Sequence, residues 1–252
     1  MQRGIAALGL ALTLSSGLAG CLAQDGTDQG ILVLKNVAPM ADSCSTMVAA
    51  DEIGLTHGAI DTQLPRGYIF IAQMKSRITA LAGTEDQRTI LLSGARVDIR
   101  FPDSSFFSAA ELARLADLGL TKFRTLFTAP IEPNGGITDA GFELIPAALV
   151  AQINAKSDQP FAIEMLATFV VEGDMSGQHV ESNAFTYPIT IGHSVTINVR
   201  GTCPLPKGTM VQAGSSCNFT QDGSVDCCTD PRAVSATNPR GLVCPAEVAT
   251  DS

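Results

Sequence analysis

The chain has 252 residues, of which 45% are hydrophobic and 16% charged, and its 25 acidic against 16 basic residues give a formal net charge of −9. That length suits one large β domain or two small ones. An acidic balance with no basic cluster argues against a nucleic-acid partner and against a domain that seeks anionic lipid headgroups by charge.

Taken in chain order, residues 1–20 have the layout of an export signal. Arg3 and the amino terminus supply positive charge, Ile5 to Leu14 form an apolar run, and small residues lead to Leu18-Ala19-Gly20-Cys21. The apolar run is about ten residues, too short to cross a hydrocarbon layer of roughly 30 Å as a helix. No later run is long enough either, so no transmembrane helix is expected. Leu18 to Cys21 resembles the lipobox of bacterial lipoproteins at every position. The resemblance implies cleavage between Gly20 and Cys21, a diacylglyceryl thioether on Cys21, and fatty acylation (palmitate, for example) of the new amino terminus. Each buried methylene is worth about 0.8 kcal/mol, so two or three chains anchor stably where one does not. Leu22, rather than an aspartate, follows the cysteine; by analogy with enterobacterial sorting this implies the outer membrane, with the protein periplasmic or surface-exposed. Loss of residues 1–20 removes one charge, Arg3, and leaves 232 residues with a net charge of −10.

Residues 21–30 read as the lipidated cysteine and a polar, flexible tether. Residues 31–200 then read as an immunoglobulin-like β-sandwich. Ile31 to Val37 and Tyr68 to Met74 are β-rich runs. Between Thr89 and Phe101, Ala95, Val97, Ile99 and Phe101 alternate with Arg96, Asp98 and Arg100, the period of a strand with one face in and one out. Phe161 to Val171 places Phe161, Ile163, Met165, Phe169 and Val171 on one face. Phe185, Tyr187, Ile189 and Ile191 form another such set, and Val195, Ile197 and Val199 a third. Turns are expected at Gly173-Asp174, Ser176-Gly177 and Gly192-His193. Ser108 to Leu118 reads as a helix, with Ser108 and Glu111 in capping-box spacing, Gly119 at the stop, and Leu112, Leu115 and Leu118 toward a core. Pro146 to Ala155 reads as a second short helix with proline at its first position. Seven or eight strands with two connecting helices give a mainly β fold.

Residues 201–252 read as a cysteine-rich C-terminal segment. With Cys21 assigned to lipid, six cysteines remain: Cys44, Cys203, Cys217, Cys227, Cys228 and Cys244. An even number outside the cytoplasm reads as three disulfides. Five of the six lie in the last fifty residues, so Cys44 is expected to tie the start of the fold to its end. Adjacent Cys227 and Cys228 pair with each other only through distorted geometry, so each is expected to take a different partner. Cys217 with Cys227 is attractive, because Gln221 to Ser224 would turn the chain back between them.

Beyond the lipobox, His179-Val180-Glu181-Ser182-Asn183-Ala184-Phe185-Thr186-Tyr187-Pro188-Ile189 resembles a strand of uncharacterised lipoproteins from myxobacteria. The run Cys217 to Cys228, the ending Leu242-Val243-Cys244 and the opening Pro39 to Cys44 are similar to theirs as well. The resemblance covers most of the mature chain in short pieces. It departs at Ile191-Gly192-His193, where those relatives carry cysteines, so their disulfide pattern is not carried over.

No catalytic constellation is legible. His57, His179 and His193 stand in three separate polar surroundings, without HExxH spacing, and read as exposed loop or strand-edge residues. No G-x-S-x-G elbow marks a nucleophilic serine. The carboxylates Asp42, Asp51, Glu52 and Asp61, and the pair Asp222 and Asp226, lack EF-hand spacing, and Asp222-Gly223 reads as a turn. No cofactor and no metal site is expected. The sequence thus predicts a membrane-anchored envelope lipoprotein, a non-catalytic binding or structural module with the membrane, and other envelope proteins, as partners. The alternative is a secreted hydrolase or carbohydrate-binding protein with a site built from distant loops, which a pocket joining His57 or His193 to acidic groups would favour.

Overall fold

A computed structural model describes residues 29–39, 54–79, 88–103, 105–157, 159–215 and 217–249. The signal region, the lipidation site Cys21 with the preceding Gly20, and Cys44 lie outside them. In chain order the elements are β1 (Ile31–Asn36), β2 (Gly58–Asp61), β3 (Tyr68–Ser76), β4 (Ile90–Arg100), α1 (Ala109–Asp117), β5 (Lys122–Thr125), β6 (Ala129–Ile131), β7 (Ile137–Ile145) and α2 (Ala147–Asn154). There follow β8 (Ala162–Met175), β9 (Gln178–Glu181), β10 (Phe185–Gly192), β11 (Ile197–Thr202), β12 (Val225–Thr229) and β13 (Leu242–Val243).

The chain is mainly β, an immunoglobulin-like sandwich of open sheets with two short connecting helices and a disulfide-stapled C-terminal segment. One sheet has the order β1-β3-β7, the other β2-β10-β8-β4-β5, with β6 also on β4 and β9 on β8. Both turn their alternate apolar residues onto one core, as the period-two pattern requires. Ala95, Val97 and Ile99 of β4 are buried while Arg96 and Arg100 face out. Met165, Ala167, Phe169 and Val171 of β8 meet Phe70, Phe142 and Leu144 from the opposite sheet. Phe70 is the hub: its ring lies 5.0 Å from those of Phe169 and Tyr187, and within 6 Å of Phe142 and Phe185. Full burial of one such ring contributes roughly 1.5–3 kcal/mol.

Several expectations are refined. β8 runs through Gly173-Asp174 to Met175, so no turn occurs there; Gly173 lies against the backbone of β4 instead. The chain reverses at Ser176-Gly177, both at positive φ (52° and 81°), the two-residue hairpin geometry that matches strand twist. In α1 the capping box forms, with Ser108 Oγ accepting the Glu111 N–H and Glu111 accepting the Ser108 N–H. Leu115 is buried and Leu112 packs on the core, but Leu118 is 55% exposed because it is the C-cap, beyond the last full turn, ahead of Gly119 at φ 68°. In α2 Pro146 is the N-cap, with extended ψ of 139°, rather than the first helical residue.

The apolar run at Val195 to Val199 does not close the sandwich. β11 begins at Ile197 and pairs in parallel with β12 in a third sheet of order β11-β12-β13. Ser194, at φ 59°, turns the chain out of the β10 path. The buried Asp61 carboxylate then holds the next three backbone N–H groups.

Two disulfides staple this third sheet, Cys203–Cys228 and Cys227–Cys244. The adjacent cysteines thus take different partners, as expected. Neighbouring residues of a strand point to opposite faces; Cys227 packs with Ile197, Val225 and Leu242, and Cys228 with Leu205 and Ala246. The Cys217–Cys227 pairing is not formed. The antiparallel register Cys228↔Val243 brings Cys244 to Cys227, at a Cα separation of 4.5 Å. The Gln221–Ser224 turn is used elsewhere: the Asp222 N–H donates to the Ala59 carbonyl, and Thr220 accepts from the Asp61 N–H. Cys217 is half-buried.

Candidate binding cleft

Two buried polar joints fasten the C-terminal segment to the sandwich. In the first, Tyr68 donates its hydroxyl to Asp222 Oδ2 at 2.7 Å, the Ala59 N–H donates to Asp222 Oδ1, and the Asn36 amide donates to both Tyr68 and Tyr187. Burial, reinforced by the Asp222 charge, pushes the Tyr68 phenol up, which keeps it a donor. Burial also raises the Asp222 carboxyl, against the lowering pull of the Ala59 N–H and the Tyr68 hydroxyl.

The second joint is Asp61, with 0% exposure. Its Oδ1 accepts the Gln63 N–H at 3.0 Å, and its Oδ2 accepts those of Val195, Thr196 and Ile197 at 2.9, 3.3 and 3.2 Å. One carboxylate thereby satisfies four backbone donors that burial would otherwise leave unpaired. It also fixes the loop after β2 against the turn after β10. Thr62 N–H reinforces the same seam by donating to the Gly192 carbonyl.

Over this seam lies a cleft of about 540 Å³, lined by Gln63, Asn154, Pro160, His193, Ser194, Pro239 and Arg240. Its size falls in the range of small-ligand sites, which favour junctions between structural units. Gln63 is buried, and its amide oxygen accepts from the Arg240 guanidinium. His193 Nε2 meets Asn154 Oδ1 at 2.6 Å, at the end of α2, and its ring lies 4.7 Å from that of Phe161. The His193 N–H donates to the Phe161 carbonyl. Gly192 permits that approach, because a Cβ there would collide with the Phe161 backbone. His193 is therefore half-buried and held from three directions, not the exposed residue its sequence surroundings suggest.

The other histidines are exposed, as expected, and each sits in a cluster the sequence does not announce. His57 Nε2 lies 3.2 Å from Glu164 and 3.3 Å from the Thr190 hydroxyl, which itself donates to Glu164 at 2.5 Å. Burial pushes the Glu164 carboxyl up, and the hydrogen bonds from Thr190 and His57 outweigh it, leaving it below its ordinary value. The carboxylate and the hydroxyl reach the same ring nitrogen. That is not a proton relay, which needs them on opposite nitrogens.

Glu172, His179 and Glu181 place one potential ligand atom each within 4.8 Å of one another. Arg96 donates to both carboxylates and Arg124 donates to Glu172 at 2.7 Å. The Arg96 hydrogen bond, against burial, holds the Glu181 carboxyl low. Two guanidiniums balance two carboxylates, so this group is a cross-strand brace that a cation would have to break.

Of the carboxylates weighed for calcium, Asp42, Asp51 and Glu52 lie outside the described residues. Asp61 is consumed by backbone N–H groups and Asp222 by the tyrosine joint. Asp226 accepts the Gln212 N–H at 3.0 Å and lies 3.8 Å from Arg200. These three do not converge. Cleft residues Gln63, Asn154, Ser194 and Arg240 carry no local signal, since four separate chain segments meet there.

No protein-family model matches the chain, and no curated protein is significantly similar to it. Among the described residues, no helix is long and apolar enough to cross a membrane.

Proposed function

We propose that this chain is an envelope lipoprotein, anchored through lipid on Cys21, probing its surroundings with a non-catalytic sandwich that binds or braces. The observation that carries the reading is the Leu18-Ala19-Gly20-Cys21 sequence, at the end of an apolar run too short to span a membrane. Cysteine usage supports it. Four of the other six cysteines form two disulfides, in keeping with an oxidising compartment. Replacement of Cys21 by Ser tests it: the protein should lose fatty-acid label and leave the membrane fraction. Retention of label and membrane association would refute the anchor.

The cleft joins His193 to two amides and an arginine but not to the acidic groups that would favour a loop-built hydrolase; its polar lining supports a binding role, carbohydrate included. A hydrolytic site gains no such support there. The lining residues include no carboxylate to serve as general acid or base. We therefore take the binding module as the reading and the cleft as its working surface.

A further inference from the structure

The charge of the cleft is unlike that of the chain. The protein carries a net −9, yet the cleft lining has one charged side chain, Arg240, and no carboxylate. Several other arginines are spent on acids, Arg96 and Arg124 on Glu172, Arg232 on Asp230 and Arg200 on Asp226, while Arg66 lies over the Phe219 ring. Among the described residues Arg240 instead meets the neutral Gln63 amide oxygen. A guanidinium has five donors in a planar fork suited to a carboxylate, and one contact to Gln63 leaves most of the fork available.

The remaining polar groups are amides, an imidazole and a hydroxyl. The amides and the hydroxyl keep donors and acceptors beyond their present contacts, the Gln63 amide nitrogen to Ser194 included, and can both give and take a hydrogen bond, as a sugar hydroxyl also does; His193, with Nε2 on Asn154, keeps its other ring nitrogen. Pro160 and Pro239 add flat apolar ring surface beside them. The frame is rigid, because Asp61 ties Gln63 and the residues after Ser194 to one buried carboxylate.

We propose that this cleft binds an acidic sugar, a uronate unit, with its carboxylate on Arg240 and its hydroxyls on Gln63, Asn154 and His193. The assignment rests on the binding-module reading and names the ligand class of its working surface.

The test uses the mature chain, lipidated and held in detergent micelles, titrated calorimetrically with trigalacturonate, with neutral galactotriose and with a tripeptide bearing a free carboxyl terminus. Trigalacturonate should bind saturably, and the neutral trisaccharide at least about tenfold more weakly, the scale of one charge-assisted pair. The peptide should not bind. Arg240→Gln should weaken trigalacturonate about tenfold or more. Asn154→Asp, which sets a negative charge in the cleft, should abolish binding. Arg240 is exposed, so its variant should keep the parent melting temperature and both disulfides. Equal binding of the neutral sugar, binding of the peptide, an unaffected Arg240→Gln variant, or no binding of trigalacturonate would each overturn the assignment. Sedimentation of the mature chain prepared without lipid, as residues 22–252, with isolated cell-envelope material separates the two readings, because lipid on Cys21 would carry the chain down by itself. If trigalacturonate fails while the chain still sediments with envelope, the cleft assignment falls and the binding module stands. If both fail, both fall.

Discussion

Asp61 and Ile197 lie 136 residues apart, and the carboxylate of the first accepts the backbone N–H of the second at 3.2 Å in a fully buried joint. With Gln63, Val195 and Thr196 on the same carboxylate, the joint decides where the sandwich ends and the disulfide-stapled sheet begins. Asp61→Ala would strand four donors, each costing on the order of 1–3 kcal/mol when buried unpaired. The expected loss is about 3 kcal/mol or more in urea unfolding, and Asp61→Asn should lose less because its amide oxygen still accepts. A loss below about 1 kcal/mol for the alanine variant would mean that the donors find other acceptors.

Phe70 touches four aromatic rings from both sheets. Phe70→Ala should destabilise the fold by about 3–5 kcal/mol, and Phe70→Leu by much less, since leucine refills part of the cavity. Equilibrium denaturation of the pair of variants checks both the size and the order.

The disulfides stabilise a separate sheet. Loss of Cys203–Cys228, which closes a loop of 25 residues, should cost about 3 kcal/mol. Hydrogen exchange should rise across β11, β12 and β13 while β4 and β8 remain protected. A non-reducing peptide map should return Cys203–Cys228 and Cys227–Cys244. It should also link Cys44 to Cys217, the two cysteines that complete an even six. A uniform rise in exchange, or a Cys217–Cys227 peptide, would contradict this account.

Glu111 links α1 to Lys156, just beyond the end of α2. The Lys156 ammonium, at 2.5 Å, together with the Ser108 N–H and hydroxyl, holds its carboxyl down to about 2, against an ordinary 4.5. A carboxyl lowered by folding stabilises the native state above its unfolded value, and that contribution disappears as pH falls through the folded value. Stability should therefore decline between about pH 4.5 and pH 2, and Glu111→Gln should flatten the decline in that window. Thermal melts of both proteins from pH 6 to pH 2 measure it; parallel curves would rule the contribution out.

The strands with clean alternation were legible from residues alone, because Ala95, Val97 and Ile99 leave no other reading than one buried face. β7 was not: Asp139 and Gly141 interrupt its apolar pattern, and only pairing with β3 makes it a strand. β2, β5 and β6 are three or four residues long, too short to show a period. The capping box at Ser108 was legible because its chemistry is local. The Cys227 partner was not, because a turn at Gln221–Ser224 is consistent with a return to Cys217 until its contacts with β2 are known. For the same reason the cleft showed only His193 in advance. Gln63, Asn154, Ser194 and Arg240 come together through the Asp61 joint, and no spacing encodes that joint.

Intact-mass and peptide mass spectrometry of protein purified from membranes reads the lipid on Cys21 itself. The amino-terminal peptide should begin at Cys21 and carry a diacylglyceryl group on the thiol. An amino terminus elsewhere, or a Cys21 with an unmodified thiol or a disulfide, would contradict the anchor.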